Sequence, residues 1–437
     1  MTVTYDPHHP DYLDEADVRL EMSRVFDVCS GCRRCVSLCD SFPTLFGMLD
    51  ANDKPGADQL TPAQQDRVVE PCFQCKLCAV NCPYGVGRNE AAIDFPRLML
   101  RADAMRVETK QVPPRQRFIT QIGARTDLVG TLATRTAAAS NRILGAEPGG
   151  LTRTVVEKAT GVSRARLMPT FAKQRFSTWF KRRPRIRIGK RQGRVALFAT
   201  CLVEYQEPAI GHDLVKVYER NGIEVALSDA GCCGAPWLHA GDRDGFVKVA
   251  NRVTEILAAE VRRGNDIVVP QPTCGYVLKH DYPDYVGTVD AKLVAEHTFD
   301  ACEYLMRVHR TEGSNLDTDF EGDVPTTITY HAPCHLRAQN VGLRSRDLLK
   351  LTGANVTLVQ QCSGMGAMWG LRAENAETSL GIAAKLGSRV AATTSESVVG
   401  DCHQANVVIA EQTGRVPSHP IQLVARAYGI AEEEPPA

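Results

Sequence analysis

No stretch of eighteen apolar residues occurs in the 437-residue chain, so no segment reads as a membrane-spanning helix. No Gly-x-Gly-x-x-Gly follows a strand-like run, which argues against a flavin or nicotinamide bound by this chain itself. The opening residues, Met1-Thr-Val-Thr-Tyr-Asp, soon turn acidic and do not read as a secretory leader, so the expected compartment is the cytoplasm. There is no net charge either, and no nucleic-acid recognition motif, so nucleic acid is not an expected partner. What the chain has in quantity is cysteine, sixteen in all. In a reducing cytoplasm these read as free thiolates or cluster ligands rather than disulfides.

Eight of them form two runs of one pattern. The first is Cys29-Ser-Gly-Cys32-Arg-Arg-Cys35-Val-Ser-Leu-Cys39, and the second is Cys72-Phe-Gln-Cys75-Lys-Leu-Cys78-Ala-Val-Asn-Cys82-Pro83. Both read C-x2-C-x2-C-x3-C, the bacterial ferredoxin spacing. Three thiolates two residues apart wrap three corners of an iron–sulfur cube, while the fourth points away to the cube of the other run. The expected sets are therefore Cys29, Cys32, Cys35 and Cys82 on one 4Fe-4S cluster, and Cys72, Cys75, Cys78 and Cys39 on the other. Tetrahedral zinc is the competing reading, but four-thiolate zinc sites separate two pairs by a long spacer.

A chain of this length divides into several domains. Residues 11 to 28 read as a helix with Leu13, Val18, Val25 and Phe26 as its apolar positions. The Pro43–Leu49 stretch looks helical, as does the one after Thr61, with Thr61 as N-cap and Pro62 in the first turn. A further helix is expected over Asn89 to Arg106, interrupted near Pro96. Residues 1–106 thus form an all-helical domain, and 107–193 a basic helical linker. From Arg101 to Arg194 there are 22 Lys and Arg against 5 Asp and Glu, a balance of +17. Within it, Asp127 to Leu144 can form a helix with Leu128, Leu132, Ala139 and Ile143 on one side. Phe176, Trp179 and Phe180 stand at i, i+3 and i+4 before Lys181, Arg182, Arg183, Arg185 and Arg187. An aromatic face beside cations suits peripheral contact with an anionic membrane surface or an acidic partner. It equally suits a linker helix whose aromatics dock on their own protein.

From Arg194 the texture is strand, cysteine, helix, repeated. Strand-like runs lead to Cys201, to the pair Cys232-Cys233, and to Cys274; later ones lead to Cys334, Cys362 and Cys402. The steps are 31 and 42 residues in the first copy and 28 and 40 in the second, an internal duplication of an α/β unit with cysteines at strand C-terminal ends. The expected boundaries are 194–322 and 323–437. Cys201, Cys232, Cys233 and Cys274 are enough for one further cluster. The second set lacks a fourth thiol, since Ser363 stands where its twin has Cys233. His331, His335 and His403 beside it read as hydrogen-bonded packing residues rather than ligands. Cys302 fits neither pattern and reads as a buried, inert thiol.

The two cysteine runs, Gly231-Cys-Cys-Gly and His331-Ala-Pro-Cys-His-Leu-Arg together resemble the cysteine-rich (CCG) iron–sulfur oxidoreductases. That group includes the cysteine-rich subunit of anaerobic glycerol-3-phosphate dehydrogenase, the glycolate oxidase iron–sulfur subunit and the CCG subunits of heterodisulfide reductase. The domain order is most similar to that of the glycerol-3-phosphate dehydrogenase subunit. The resemblance implies a multidomain α+β protein, a two-cluster ferredoxin domain followed by two CCG domains. It also implies electron relay from an FAD-containing dehydrogenase subunit toward a quinone or similar acceptor, with the protein in the cytoplasm or peripheral on the inner face of the membrane. The chain departs from the fullest pattern at Val277, Ala405 and Ser363, where full copies carry cysteine. A self-contained reductase acting at an open C-terminal site is the alternative, and a redox sensor or scaffold a third. Iron and sulfide analysis of anaerobically purified protein should return about three clusters per chain. Zinc with little sulfide would sink the cluster reading.

Overall fold

A computed structural model describes residues 5–54, 56–184 and 191–430. The chain forms two compact units. The first comprises the chain up to Ala124 with Pro236–Val247 and Gly366–Trp369, and the second comprises Arg125–Ala235, Lys248–Met365 and Gly370–Ala437.

Among the described residues the regular elements of the first unit are helices. Asp14 caps the helix Glu15–Cys32 by accepting the Asp17 N–H at 2.8 Å, so the helix starts later than expected and runs on through Cys29 and Cys32. It buries Val18, Met22, Val25 and Phe26, one face at helical spacing, against Phe42, Leu45 and Phe46 of the helix Ser41–Asp50. Thr61 and Gln64 form a reciprocal capping box at the start of the helix Pro62–Val69. Pro96 does not interrupt a helix. Asp94 caps the helix Phe95–Glu108, and Pro96 lies in its first turn, where a missing N–H costs nothing. The fully buried Arg101 of this helix is matched by Asp17 at 2.6 Å and by the Tyr12 carbonyl at 2.7 Å, as a buried charge requires.

The second unit holds two parallel sheets. β1 (Gly193–Leu197), β2 (Ile223–Leu227), β3 (Asp266–Val269) and β4 (Thr298–Asp300) lie in the order β2-β1-β3-β4. β5 (Thr327–His331), β6 (Asn355–Val359) and β7 (Ser397–Gly400) lie in the order β6-β5-β7. The registers correspond: Gly193 pairs with Ile223 through Leu197 with Leu227, and Thr327 with Asn355 through His331 with Val359. The duplication seen in the cysteine steps is therefore also one of sheet topology, save for the extra β4. Val195, Ala196, Leu197, Ile267, Val268 and Val269 are wholly buried, as strands covered on both faces are.

Of the two readings of the aromatic helix the structure matches the second, and the helix expected before it is corrected. The aromatics of the helix Phe176–Arg182 face their own protein rather than a membrane or partner: Phe176 is fully buried among Val203, Ile210 and Leu214, and Trp179 and Phe180 pack on the same core. Trp179 stacks on His212 at 4.0 Å between ring centroids, and the Arg183 guanidinium lies 3.8 Å over Phe180 and 2.6 Å from Glu219. Lys181 and Arg182 follow in the last turn, while Arg185 and Arg187 lie outside the described residues. The single helix expected over Asp127 to Leu144 is two, Thr126–Arg135 and Ala137–Leu144, parted at Thr136, and it is turned the opposite way. The small residues Gly130, Thr134 and Ala137 face inward, and Leu128 and Leu132 are 56% and 55% exposed. Gly130 is needed there because a Cβ would come within 2.4 Å of the Tyr205 ring.

Phe176 reaches its seat because Gly211 has no side chain; a Cβ there would lie 2.5 Å from the Phe176 ring and 2.8 Å from Val203. Gly211→Ala should lower stability by about 1–3 kcal/mol in denaturant unfolding, as overpacking does. Gly381→Ala, at a helical position with nothing within 4 Å, serves as the control and should be neutral or slightly stabilising. Equal effects at the two positions would refute this account of the packing.

Candidate metal centre

Cys29 and Cys32 lie one turn apart at the end of their helix, so their sulfurs share a face. Arg33, left-handed at φ 52°, stops the helix and turns the chain back toward Cys35. In the second run Gln74 and Lys76, at φ 58° and 65°, bracket Cys75 with the same conformation. Such residues cost of order 1–3 kcal/mol each and persist where the surroundings dictate them. Gln74 Nε2 donates to the Cys72 sulfur at 3.5 Å, and Gln74 Oε1 accepts from Lys76 Nζ at 2.9 Å.

Cys29, Cys32, Cys35 and Cys82 line one cleft walled by Val28, Phe42, Phe46 and Ile93. Burial pushes the Cys29 thiol up to about 12, and its next influences are Cys35, Cys82 and Cys32. Burial likewise lifts Cys78 well above the ordinary thiol range, followed by Cys75, Cys72 and Cys39. Cys72 is raised by burial and then by Cys39. Cys82 thus lines one cleft with Cys29, Cys32 and Cys35, and Cys39 is near enough to Cys72 and Cys78 to influence both. Thiols gathered around an apolar-walled cleft ionise only against one another. They suit a group that brings positive charge to several sulfurs at once, as an iron–sulfur cube does.

In the second unit the first copy's four thiols come from the C-terminal ends of the neighbouring strands β2, β1 and β3. Cys201 follows β1, Cys232 and Cys233 sit in the loop after β2, and Cys274 lies in the helix Pro272–Tyr276 after β3. Gly231 and Gly234, at φ 73° and 84°, fold that loop tightly enough to present both adjacent sulfurs. Cys233 and Cys274 sulfurs are 3.3 Å apart. Cys232 accepts from the Cys201 and Cys233 thiols and, at 3.4 Å, from the Gly234 N–H, which holds it well below the ordinary thiol range. Cys201, donating to Cys232, is raised correspondingly.

Cys334, Cys362 and Cys402 follow β5, β6 and β7 in the same way. Burial raises Cys334, with Cys362 and Cys402 its next influences. Burial lifts Cys402 to about 11, against the Ala405 and Gln404 N–H groups that lower it; Asp401 and Cys274 add to the rise. The Gly364 N–H meets the Cys362 sulfur at 3.3 Å, reproducing the Gly234 contact of the first copy. The two edges meet: Thr273 Oγ1 and His335 Nδ1 are 3.0 Å apart, and Gln339 Nε2 donates to the Pro272 carbonyl at 3.0 Å. His331 Nε2 donates to the Gln361 carbonyl at 2.9 Å. His331 and His335 are hydrogen-bonded as expected, whereas His403 Nε2 is buried without a hydrogen-bond partner.

The family profile for the cysteine-rich CCG domain matches residues 195–279 and 328–405. The chain carries two CCG domains. It is similar to a subunit of the anaerobic glycerol-3-phosphate dehydrogenase of Escherichia coli (strain K12), with 28% identity over 401 residues, 83% of this chain and 99% of that protein. A subunit of the fumarate reductase (CoM/CoB) of Methanothermobacter marburgensis is 31% identical over 190 residues, 41% of this chain and 34% of that protein. Lactate utilization protein A of Geobacillus thermodenitrificans is 28% identical over 190 residues, 41% of this chain and 75% of that protein. The chain is thus similar over most of its length to a subunit of an anaerobic dehydrogenase, and over about two-fifths of it to a subunit of a fumarate reductase.

Sequence reasoning missed Thr126 and Asp127, which begin the helix Thr126–Arg135 beside the first CCG site. Asp127 Oδ2 accepts the Cys232 N–H at 3.3 Å, and Thr126 lies beside the Cys232 sulfur. Burial and then Cys232 raise the Asp127 carboxyl. No spacing rule links these residues to a cysteine more than a hundred positions away.

Cys233→Ser converts the first copy to the pattern Cys362-Ser363 already has. A hydroxyl is a far poorer partner for iron than a thiolate. We expect the variant to lose the CCG-domain cluster signal in EPR of the reduced protein, with the two N-terminal signals unchanged because their eight sulfurs lie in the first unit. An unaltered spectrum would remove Cys233 from the ligand set.

Proposed function

We propose that this CCG protein is the iron–sulfur electron-transfer subunit of an oxidoreductase complex, relaying electrons between an FAD-containing dehydrogenase subunit and a quinone or similar acceptor. The observation that carries the reading is the crossed gathering of the eight N-terminal thiols, with Cys29, Cys32, Cys35 and Cys82 around a single cleft. Iron–sulfur clusters held by these thiolates supply one-electron transfer when bound. Cys29, Cys32, Cys35 and Cys82 would hold one 4Fe-4S cluster, and Cys72, Cys75, Cys78 and Cys39 the second. Cys201, Cys232, Cys233 and Cys274 would hold a third. Around these sites the chain's own residues fix the sulfurs, shield them with Phe42, Phe46 and Ile93, and direct backbone N–H groups at Cys232 and Cys362. The similarity to a dehydrogenase subunit over most of the chain supports an oxidoreductase partner. The three-thiol set at Cys334, Cys362 and Cys402 favours a second reading, a reductase of thiols, disulfides or other small molecules in its own right.

No helix among the described residues is long and apolar enough to cross a membrane. Peripheral contact with an anionic surface is better served by the exposed Leu128, Leu132, Ile143, Leu151 and Val155, with Arg125, Arg135 and Arg142 among them, than by the buried aromatics. Anaerobic co-purification should recover a flavoprotein whose substrate reduces the N-terminal clusters. Turnover of a disulfide by the isolated chain would overturn the relay in favour of the second reading. Flotation with anionic liposomes should be weakened by salt, and by roughly tenfold or more in the double variant Leu128→Ser/Leu132→Ser. Binding indifferent to both would rule out the membrane contact.

A further inference from the structure

Fifteen of the sixteen cysteines belong to the sets above, and Cys302 belongs to none. It is fully buried in the second unit, in the first turn of the helix Ala301–Arg310 that directly follows β4. Asp300 caps this helix. Its Oδ1 accepts the Cys302 N–H at 2.9 Å and the Glu303 N–H at 3.4 Å, and Glu303 Oε2 returns a contact to the Asp300 N–H at 2.9 Å. The cap uses only one carboxylate oxygen. Asp300 is 2% exposed, and its Oδ2 is buried with no hydrogen-bond partner.

The second copy brings another carboxylate to the same place. Asp401 follows β7, is wholly buried, and accepts the Tyr330 hydroxyl at 2.6 Å and the Ser345 hydroxyl on its other oxygen. One carboxylate oxygen each of Asp300 and Asp401 and the Cys302 sulfur all lie within 4.8 Å of one another. Lys279 is a cation in range of Asp300, and it is engaged 2.7 Å from Glu303. Burial and then Asp401 push the Asp300 carboxyl up to about 8. Burial, then Asp300 and Asp401, also lifts the Cys302 thiol well above its ordinary range. Groups that are anionic when ionised stay together in a dry interior where a proton quenches them or something positive joins them.

We infer that Asp300, Cys302 and Asp401 form a binding site for a zinc ion that joins the first α/β copy to the second. Zinc takes carboxylate oxygen at about 2.0–2.2 Å and thiolate sulfur at about 2.3 Å, which sets ligand atoms roughly 3.3–3.6 Å apart in a tetrahedron. A small inward movement of three side chains gives that spacing. The thiolate disfavours magnesium and calcium, and a single sulfur excludes a cube. Tyr330 and Ser345 orient Asp401 from behind, as partners of metal-bound carboxylates do. Binding releases the Cys302 proton, and that of Asp300 where it is present, to solvent, so uptake strengthens as pH rises. The ion would tie the end of β4 to the residue preceding Cys402, and so brace the second thiol set. The inference stands whether or not the chain relays electrons.

The test uses the full chain, loaded with zinc alone after anaerobic purification. Metal analysis should find about one zinc per chain beside the iron, and zinc X-ray absorption should show about one sulfur with the remaining ligands oxygen. Asn remains a good helix cap, so Asp300→Asn keeps the cap while removing the charge. It and Cys302→Ala should each lower zinc content at least roughly tenfold, with iron and sulfide unchanged. If neither variant folds, the wild-type zinc spectrum decides. Zinc retained by both folded variants, zinc surrounded by sulfur alone, or no zinc taken up by the wild type at about pH 8 would each overturn the site.

Discussion

Sulfurs that ionise side by side repel, and this chain gathers them in fours and a three within partly or wholly buried surroundings. Something in the fold must hold them there before any iron arrives. The first unit uses the end of one helix and three left-handed residues, Arg33, Gln74 and Lys76, to fold two cysteine loops against a helical core. The second uses parallel strands, whose C-terminal ends necessarily open along one edge. In both CCG copies a glycine N–H points at the first sulfur of the loop, Gly234 at Cys232 and Gly364 at Cys362. Backbone dipoles of this kind favour a negative sulfur without adding a side chain that would compete for it.

The same economy governs the basic stretch. Its sequence balance of +17 overstates the charge at the surface. Arg153 and Arg166 are 1% exposed, the first donating to the Ser163 and Arg166 carbonyls and the second beside Glu411 at 3.3 Å. Arg183 is taken up by Phe180 and Glu219. Meanwhile leucines of the helix Thr126–Arg135 face outward, and its first residues, Thr126 and Asp127, reach the first CCG site. From Arg125 on, the segment that reads as a linker is, in its contacts, part of the second unit.

Much of this was legible from residue spacing. The cysteine intervals carried the duplication and the alternation of strand, cysteine and helix, because a strand end is where a parallel sheet can offer a side chain to a ligand. Thr61 and Pro62 marked a helix start through purely local chemistry. Failures came where local signals have two physical meanings. Pro96 can break a helix or begin one, and only the Asp94 cap decides. Phe176, Trp179 and Phe180 form an apolar face whose target lies outside their own helix; Gly211 supplies it. Leu128 and Leu132 looked like an inward face, but Gly130 must pass Tyr205, so sterics turned the helix over. β4, three residues long, was missed, although Cys302 follows it by two residues as Cys402 follows β7.

The Ser363 position carries a lesson about descent. The loop of the second copy shares the second glycine, the backbone contact to sulfur and the strand register of the first, although Gln361 stands where the first has Gly231 and its second cysteine is a serine. Loop shape and ligand count are therefore separable traits. Cysteine and serine codons differ by one base, so a duplicated half can lose or regain a ligand in a single step while its backbone waits unchanged. Two such halves in one chain let one remain under selection for its complete set of thiols while the other drifts toward a different occupant.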